Sequence, residues 1–187
     1  MDATEAAAAL ARARHGDAEA FRSLVERHSR RVFQLAFRMT GNAQDAEDVV
    51  QESFLRAYRQ LGRFEARANF GTWLYRIVAN CAVDLMRTKW HRQDQRHRET
   101  GDGWMDTMAT DMPGPERLAE SAEIQRRVAA ALDGLSPLER AAFTLRHYEG
   151  RSIDEIGSTL NLGTSAAKHS VFRAVKKLRA ALEPLRK

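Results

Sequence analysis

Residues 152–178 read Ser152-Ile153-Asp154-Glu155-Ile156-Gly157-Ser158-Thr159-Leu160-Asn161-Leu162-Gly163-Thr164-Ser165-Ala166-Ala167-Lys168-His169-Ser170-Val171-Phe172-Arg173-Ala174-Val175-Lys176-Lys177-Leu178. Two short helices and a turn are written in this segment. Ser152 and Glu155 have the spacing of a capping box, which satisfies two orphan backbone donors at a helix start. Ile156 and Leu160 fall on the inward side of a first helix. Gly157 is the small residue expected where two helices cross closely. Asn161 sits at the turn, where a left-handed backbone is often needed and Asn tolerates it. Ser165 is the expected cap of a second helix running to Leu182. Its Ala167, Val171, Val175 and Leu178 recur at three- and four-residue steps. The opposite face carries Lys168, His169, Ser170, Arg173, Lys176 and Lys177. Such a helix pair lays its second helix in a DNA major groove, with the first turns at base edges. A solvated basic face on an ordinary three-helix bundle gives the same pattern, so the segment alone leaves both readings open.

Upstream, Ser136-Pro137-Leu138-Glu139 is a second capping box, with proline at the first helical position where its missing N–H costs nothing. Before it, Leu118, Ala122, Gln125, Val128, Ala129 and Leu132 predict one more helix. The N-terminal half has the same periodicity. Phe21, Leu24, Val25, Val32, Leu35, Ala36 and Met39 predict a helix over 18–39, stopped by Gly41-Asn42. Ala46, Val49, Val50, Phe54, Ala57, Tyr58 and Leu61 predict a second, ended by Gly62. After a loop from Arg63 to Gly71, Thr72 is the expected N-cap of a third, with Trp73, Leu74, Ile77, Val78, Cys81 and Leu85 inward. A basic stretch from Arg87 to Arg98 closes this block. Between Thr100 and Glu116 the periodicity is lost and Gly, Pro and Asp accumulate, the composition of a linker. The fold class expected is all-α: two small helical domains, 11–98 and 117–187, joined by a flexible linker over 99–116.

Composition narrows the field. The chain has 187 residues and a formal charge of +5. Its pI is 9.8, compatible with a polyanionic partner. Apolar residues make up 43%, enough for real cores and too many for wholesale disorder. Four prolines and eleven glycines disfavour a many-turned β fold. No apolar run approaches the ~20 residues needed to span a bilayer. The start Met1-Asp2-Ala3-Thr4-Glu5 is not a secretory signal, so a cytoplasmic location is expected. Cys81 is the sole cysteine and is read as a reduced thiol in a helix core.

Two further groups of residues invite functional readings. Asp45, Glu47, Asp48 and Glu52 form an acidic cluster with no basic residue between them. In a DNA-binding protein such a helix should face away from phosphate, and it reads as a docking surface for another protein. Acids favoured by a helix N-terminus are the plainer alternative. A metal site joining these carboxylates to His28 and Asp84 is a third. Phe64, Phe70, Trp73 and Tyr75 alternate with Arg63, Arg67 and Arg76, a mixture suited to single-stranded nucleic acid. Trp73 and Phe70 are equally readable as core, which leaves the loop from Arg63 to Asn69 as the better contact region.

Several runs carry a resemblance. These are Gly16-Asp17-Ala18-Glu19-Ala20-Phe21, the stretch Asp45-Ala46-Glu47-Asp48-Val49-Val50-Gln51-Glu52-Ser53-Phe54-Leu55-Arg56-Ala57-Tyr58, and Phe70-Gly71-Thr72-Trp73-Leu74-Tyr75-Arg76-Ile77 with Asn80 and Asp84. Together they resemble the second domain of bacterial extracytoplasmic-function (ECF) sigma factors. Leu135-Ser136-Pro137, Arg140, Leu145-Arg146, Glu149-Gly150, Ser152, Glu155-Ile156 and Leu160 resemble their fourth domain. The likeness runs from about Ala11 to Arg179.

The resemblance implies a factor that binds core RNA polymerase and directs it to promoters, with no catalytic residues, metal or cofactor of its own. It assigns polymerase docking to Asp45, Glu47, Asp48, Gln51 and Glu52. Recognition and melting of the −10 element falls to Arg63, Phe64, Arg67, Asn69, Arg76, Asn80, Asp84 and Arg87. Duplex reading of the −35 element falls to Ser165, Ala166, Lys168, His169, Ser170, Arg173, Lys176 and Lys177. The family's recognition helix usually begins Thr-Val-Lys-Ser-Arg, whereas this chain has Ala166-Ala167-Lys168-His169-Ser170. An arginine reads guanine bidentately and a serine does not. The usual −35 preference is therefore not expected here, and Arg173 and His169 are the expected substitutes. Asp102, Asp106 and Asp111 make the linker acidic, suited to a channel built for nucleic acid. The resemblance also implies an anti-sigma partner. The end at Lys187, directly after the recognition helix, leads to the expectation that control lies with a separate protein or with expression. A stand-alone helix-turn-helix regulator is the competing reading; it has no use for the acidic cluster and should bind duplex DNA unaided.

Overall fold

The computed structural model describes the backbone of residues 3–64, 69–100 and 117–183, and the side chains of 5–64, 69–92 and 124–183. Among them every regular element is helical. Of the linker expected over 99–116, residues 99 and 100 are helical, and 101–116, with its three aspartates, lies outside the described residues. The chain divides into two units, Met1–Leu85 and Met86–Lys187.

The first unit contains α1 (Ala3–Arg14), α2 (Ala18–Thr40), α3 (Ala43–Gln60), a 3-10 turn (Leu61–Arg63) and residues 70–85 of α4 (Phe70–Thr100). Asp17 caps α2 by accepting the Ala20 N–H at 2.9 Å, and its carboxylate also pairs with Arg12 at 2.7 Å. Gly41 ends α2 at φ 86°, a left-handed backbone that suits glycine. Asn42 caps α3 immediately afterwards. Two residues thus reverse the chain and lay α2 against α3. Leu24, Val32, Leu35 and Met39 of α2 meet Ala46, Val49, Phe54 and Ala57 of α3 in the buried core, as the spacing predicts. Tyr58 departs from it: the residue is exposed, and its ring covers Phe21 edge-on at 4.9 Å.

Helix α4 begins at Phe70 rather than after Thr72. Asn69 supplies the cap, its side-chain oxygen accepting the Gly71 N–H at 2.8 Å and its carbonyl the Trp73 N–H at 3.1 Å. Leu74, Val78, Cys81 and Ala82 are buried, while Trp73, Ile77 and Leu85 are half-buried. The Cys81 thiol hydrogen-bonds Ser53, whose Oγ donates to the Val49 carbonyl at 2.6 Å. Burial pushes the thiol pKa up. Helix α1 has no counterpart among the predicted elements. It packs on α2 through small side chains, with Ala9 and Ala13 buried.

The second unit holds the rest of α4, then α5 (Arg117–Asp133), α6 (Pro137–His147), α7 (Ile153–Leu160) and α8 (Thr164–Leu182). Both predicted capping boxes are closed in both directions. Leu135, Ala174 and Leu178 form a core with Ala131, Leu132 and Phe143. Gln125 and Ala129, expected inward, are exposed, because α5 docks through its C-terminal turn. Arg140, nearly buried, ties that turn to α6 through Asp133 at 2.6 Å.

Candidate protein and nucleic-acid interfaces

Helix α3 sorts its acids by register. Asp45 is buried at the first turn, with its carboxylate 2.7 Å from the Asn42 side-chain nitrogen and its N–H donated to the Asn42 side-chain oxygen. Asp45 is thus part of the helix start and drops out of the predicted docking surface. Glu47, Asp48 and Gln51 are exposed. Leu55 extends this face by one more turn, and its apolar side chain is also exposed. The sequence reading missed it, although a leucine outside the inward register was the available signal. Glu52 is half-buried and binds Arg56 at 2.6 Å, and Arg56 reaches on to Asp84 of α4 at 3.2 Å. These pairs tie the acidic helix to the next candidate surface. The Glu52 hydrogen bond, ahead of that from Asp84, holds the guanidinium above its ordinary pKa.

Among the loop residues, Arg63 is exposed at the end of the 3-10 turn. Phe64 is buried, packed 4.9 Å from Trp73 and 6.1 Å from Phe70 by ring centroids. It was expected to touch DNA; apolar burial against two rings makes it part of the core instead. Arg67 lies outside the described residues. Asn69 is exposed, but its side-chain oxygen is spent on the α4 cap. Arg76, Asn80, Asp84 and Arg87 follow at steps of four, four and three, so they share one face of α4. Asn80 donates to the Arg76 carbonyl at 2.7 Å. His28 of α2 packs on Phe70, with ring centroids 5.4 Å apart. Burial first, then Arg27 and Arg31, holds its pKa below the ordinary 6.5. Among the described residues no three His, Cys, Asp or Glu side chains are grouped to hold a metal ion.

In the helix-turn-helix, Asn161 adopts the left-handed backbone at φ 54°. Gly163, not Ser165, is the N-cap of α8. The neighbouring Thr164 hydroxyl donates to Asp154 at 2.9 Å, joining the two helices across the turn. Ser165, Ala166, Lys168, His169, Arg173, Lys176 and Lys177 are exposed. Ser170 is not: at 3% exposure it lies on the core face, and its hydroxyl donates to the Ala166 carbonyl at 2.9 Å. It is removed from the predicted reading set, and the core register of α8 becomes Ala167, Ser170, Ala174, Leu178. The sequence reading passed over Phe172, which is 66% exposed on the basic face one turn after Lys168.

Glu139 joins this face from α6. Its carboxylate lies 2.7 Å from the Lys177 ammonium and 3.6 Å from the Arg173 guanidinium. Burial pushes the carboxyl pKa up, but the Lys177 ammonium and the Ser136 N–H outweigh this and hold it below the ordinary 4.5.

Residues 24–92 match the family model for sigma-70 region 2, and residues 125–178 match that for sigma-70 region 4. The chain is 33% identical over 177 residues to the RNA polymerase sigma-H factor of Pseudomonas aeruginosa, covering 93% of this chain and 92% of that one. It is 31% identical over 173 residues to the ECF RNA polymerase sigma factor SigW of Bacillus subtilis, covering 91% and 92%. Among solved structures it is similar to CnrH in complex with the cytosolic domain of CnrY, with a TM-score of 0.61 and 27% identity over 94% of this chain and 96% of that one.

Proposed function

Because the chain belongs to the extracytoplasmic-function sigma factors of the sigma-70 family, and so directs promoter-specific transcription, we propose that it divides this work among three of its surfaces. The exposed Glu47, Asp48, Gln51 and Leu55 of α3 dock on core RNA polymerase, acidic groups framing one apolar contact. The residues Arg63 and Arg67, with the α4 face of Arg76, Asn80, Asp84 and Arg87, engage the −10 element as single strand. Asn69 positions that surface by capping α4. Helix α8 reads the −35 element as duplex through Lys168, His169, Phe172, Arg173 and Lys176, and Ser165 and Ala166 in its first helical turn approach the backbone.

Strand opening is driven by binding. Each base captured on a protein surface is worth about 1–3 kcal/mol, so a few captured bases offset the cost of unpairing. Bond making stays with the polymerase. The division into a −10 domain over 11–98, a linker over 99–116 and a −35 domain over 117–187 belongs to this proposal. So does a cytoplasmic site of action; no described helix is long and apolar enough to cross a membrane. A partner of the anti-sigma type completes it; the similar CnrH is seen in complex with the cytosolic domain of CnrY.

The observation that carries the reading is an exposed acidic face on α3 of the first unit and an exposed basic face on α8 of the second, within a chain that matches both sigma regions. Run-off transcription tests it, using sigma-free bacterial core polymerase, this protein and a pool of random promoters. Protein-dependent transcripts are expected, and their upstream sequences define both elements. Specific duplex binding without core, and no association with core, would instead establish a stand-alone regulator.

A further inference from the structure

We infer that Glu139 is a positioning residue for promoter reading: from α6 it fixes the aim of Arg173 on the recognition helix. The inference rests on the assignment of α8 to the −35 duplex.

The geometry is specific. Glu139 closes the α6 capping box, its Oε2 accepting the Ser136 N–H at 2.9 Å while its own N–H donates to Ser136 Oγ. The cap holds the carboxylate in one orientation. The same Oε2 accepts the Lys177 ammonium at 2.7 Å, and Oε1 lies 3.6 Å from Arg173 Nε. The Glu139 side chain is 5% exposed, while that of Arg173 is 64% exposed. A nearly buried anion therefore holds one cation by a hydrogen bond and lies in ion-pair range of a second, one helical turn away on the rim of α8. An arginine whose Nε faces the carboxylate at ion-pair distance keeps two Nη groups for a second acceptor, in the fork that matches a guanine edge. Lys177 serves as the anchor, its charge matched by the carboxylate. Arg173 is the reader. Ser170 faces the core and offers no competing contact.

Glu139→Gln separates this role from a merely structural one. Glutamine still accepts the Ser136 N–H, so the cap and the fold persist. The negative charge is lost, and both cations are released. Holoenzyme binding is measured on a promoter recovered from the run-off pool and on the same promoter with its −35 segment scrambled. The wild type is expected to prefer the intact promoter. In Glu139→Gln that preference falls about tenfold, binding to the scrambled promoter tightens, and the salt dependence steepens by about one counterion per freed cation. Arg173→Lys loses the same preference, and the double variant loses no more than either single one. An unchanged preference in Glu139→Gln, equal weakening on both promoters, or additive losses in the double variant would overturn the inference. A wild type blind to the −35 segment would overturn the −35 assignment itself.

Discussion

Gly157 has no room for a side chain. A Cβ placed there would lie 2.8 Å from the Leu162 carbonyl oxygen, a backbone atom that cannot step aside. Alanine in a helix normally gains about 1 kcal/mol over glycine. Here overpacking against the turn outweighs that gain, and Gly157→Ala is expected to destabilise the second unit by about 1–2 kcal/mol. Faster hydrogen exchange across α7 and α8 in the full chain checks it. Gly157 and Asn161 were legible in the sequence because their constraint is local: a turn of this shape demands a small residue and a left-handed one. Asp45, Phe64 and Ser170 were not. Each is polar, aromatic or small in a way that suits a surface. Burial beside Asn42, against two rings, or on the core side of α8 decided otherwise, and those neighbours come from folding.

Helix starts are where the sequence spoke most clearly. Ser136 with Glu139 and Ser152 with Glu155 form the boxes their spacing announced, since a capping box uses only four consecutive residues. Ser152→Ala removes the acceptor for the Glu155 N–H and is expected to cost about 1 kcal/mol. Denaturant titration of the full chain, with exchange at α7 as the local reading, measures it. The α4 start was misread by three residues because Asn69 and Thr72 are both competent caps, and which one serves depends on where Phe70 is buried. Helix α1 escaped notice because its apolar residues are alanines but for Leu10, and their run from Ala6 to Ala9 shows little face. In α5, Gln125 and Ala129 were drawn inward, yet among the described residues it is Ala131 and Leu132 of the last turn that meet the core, while the side chains of Leu118 and Ala122 lie outside the described residues.

At the scale of the whole chain, the proposed polymerase docking and −35 reading sit on different units and should fail separately. Asp48→Lys reverses a charge on the exposed α3 face and is expected to weaken association with core polymerase at least tenfold, leaving the helices intact. Lys168→Ala removes a cation from α8 and is expected to leave core binding unchanged while lowering the salt slope of promoter binding by about one. Filter binding and fluorescence anisotropy of labelled core separate the two. Loss of both activities in either variant would contradict the division. The surfaces were legible as clusters of like residues, but their edges were not: Leu55, Phe172 and Glu139 belong to them by position in space rather than by residue type. One further property follows from the helix packing. The chain owns a single sulfhydryl, sealed between α3 and α4 with Ser53 beside it. A thiol-seeking reagent must wait for those helices to part, so the rate at which Cys81 is modified is a clock built into the molecule. It counts how often the body that carries the acidic face breathes open, free or bound to its partners.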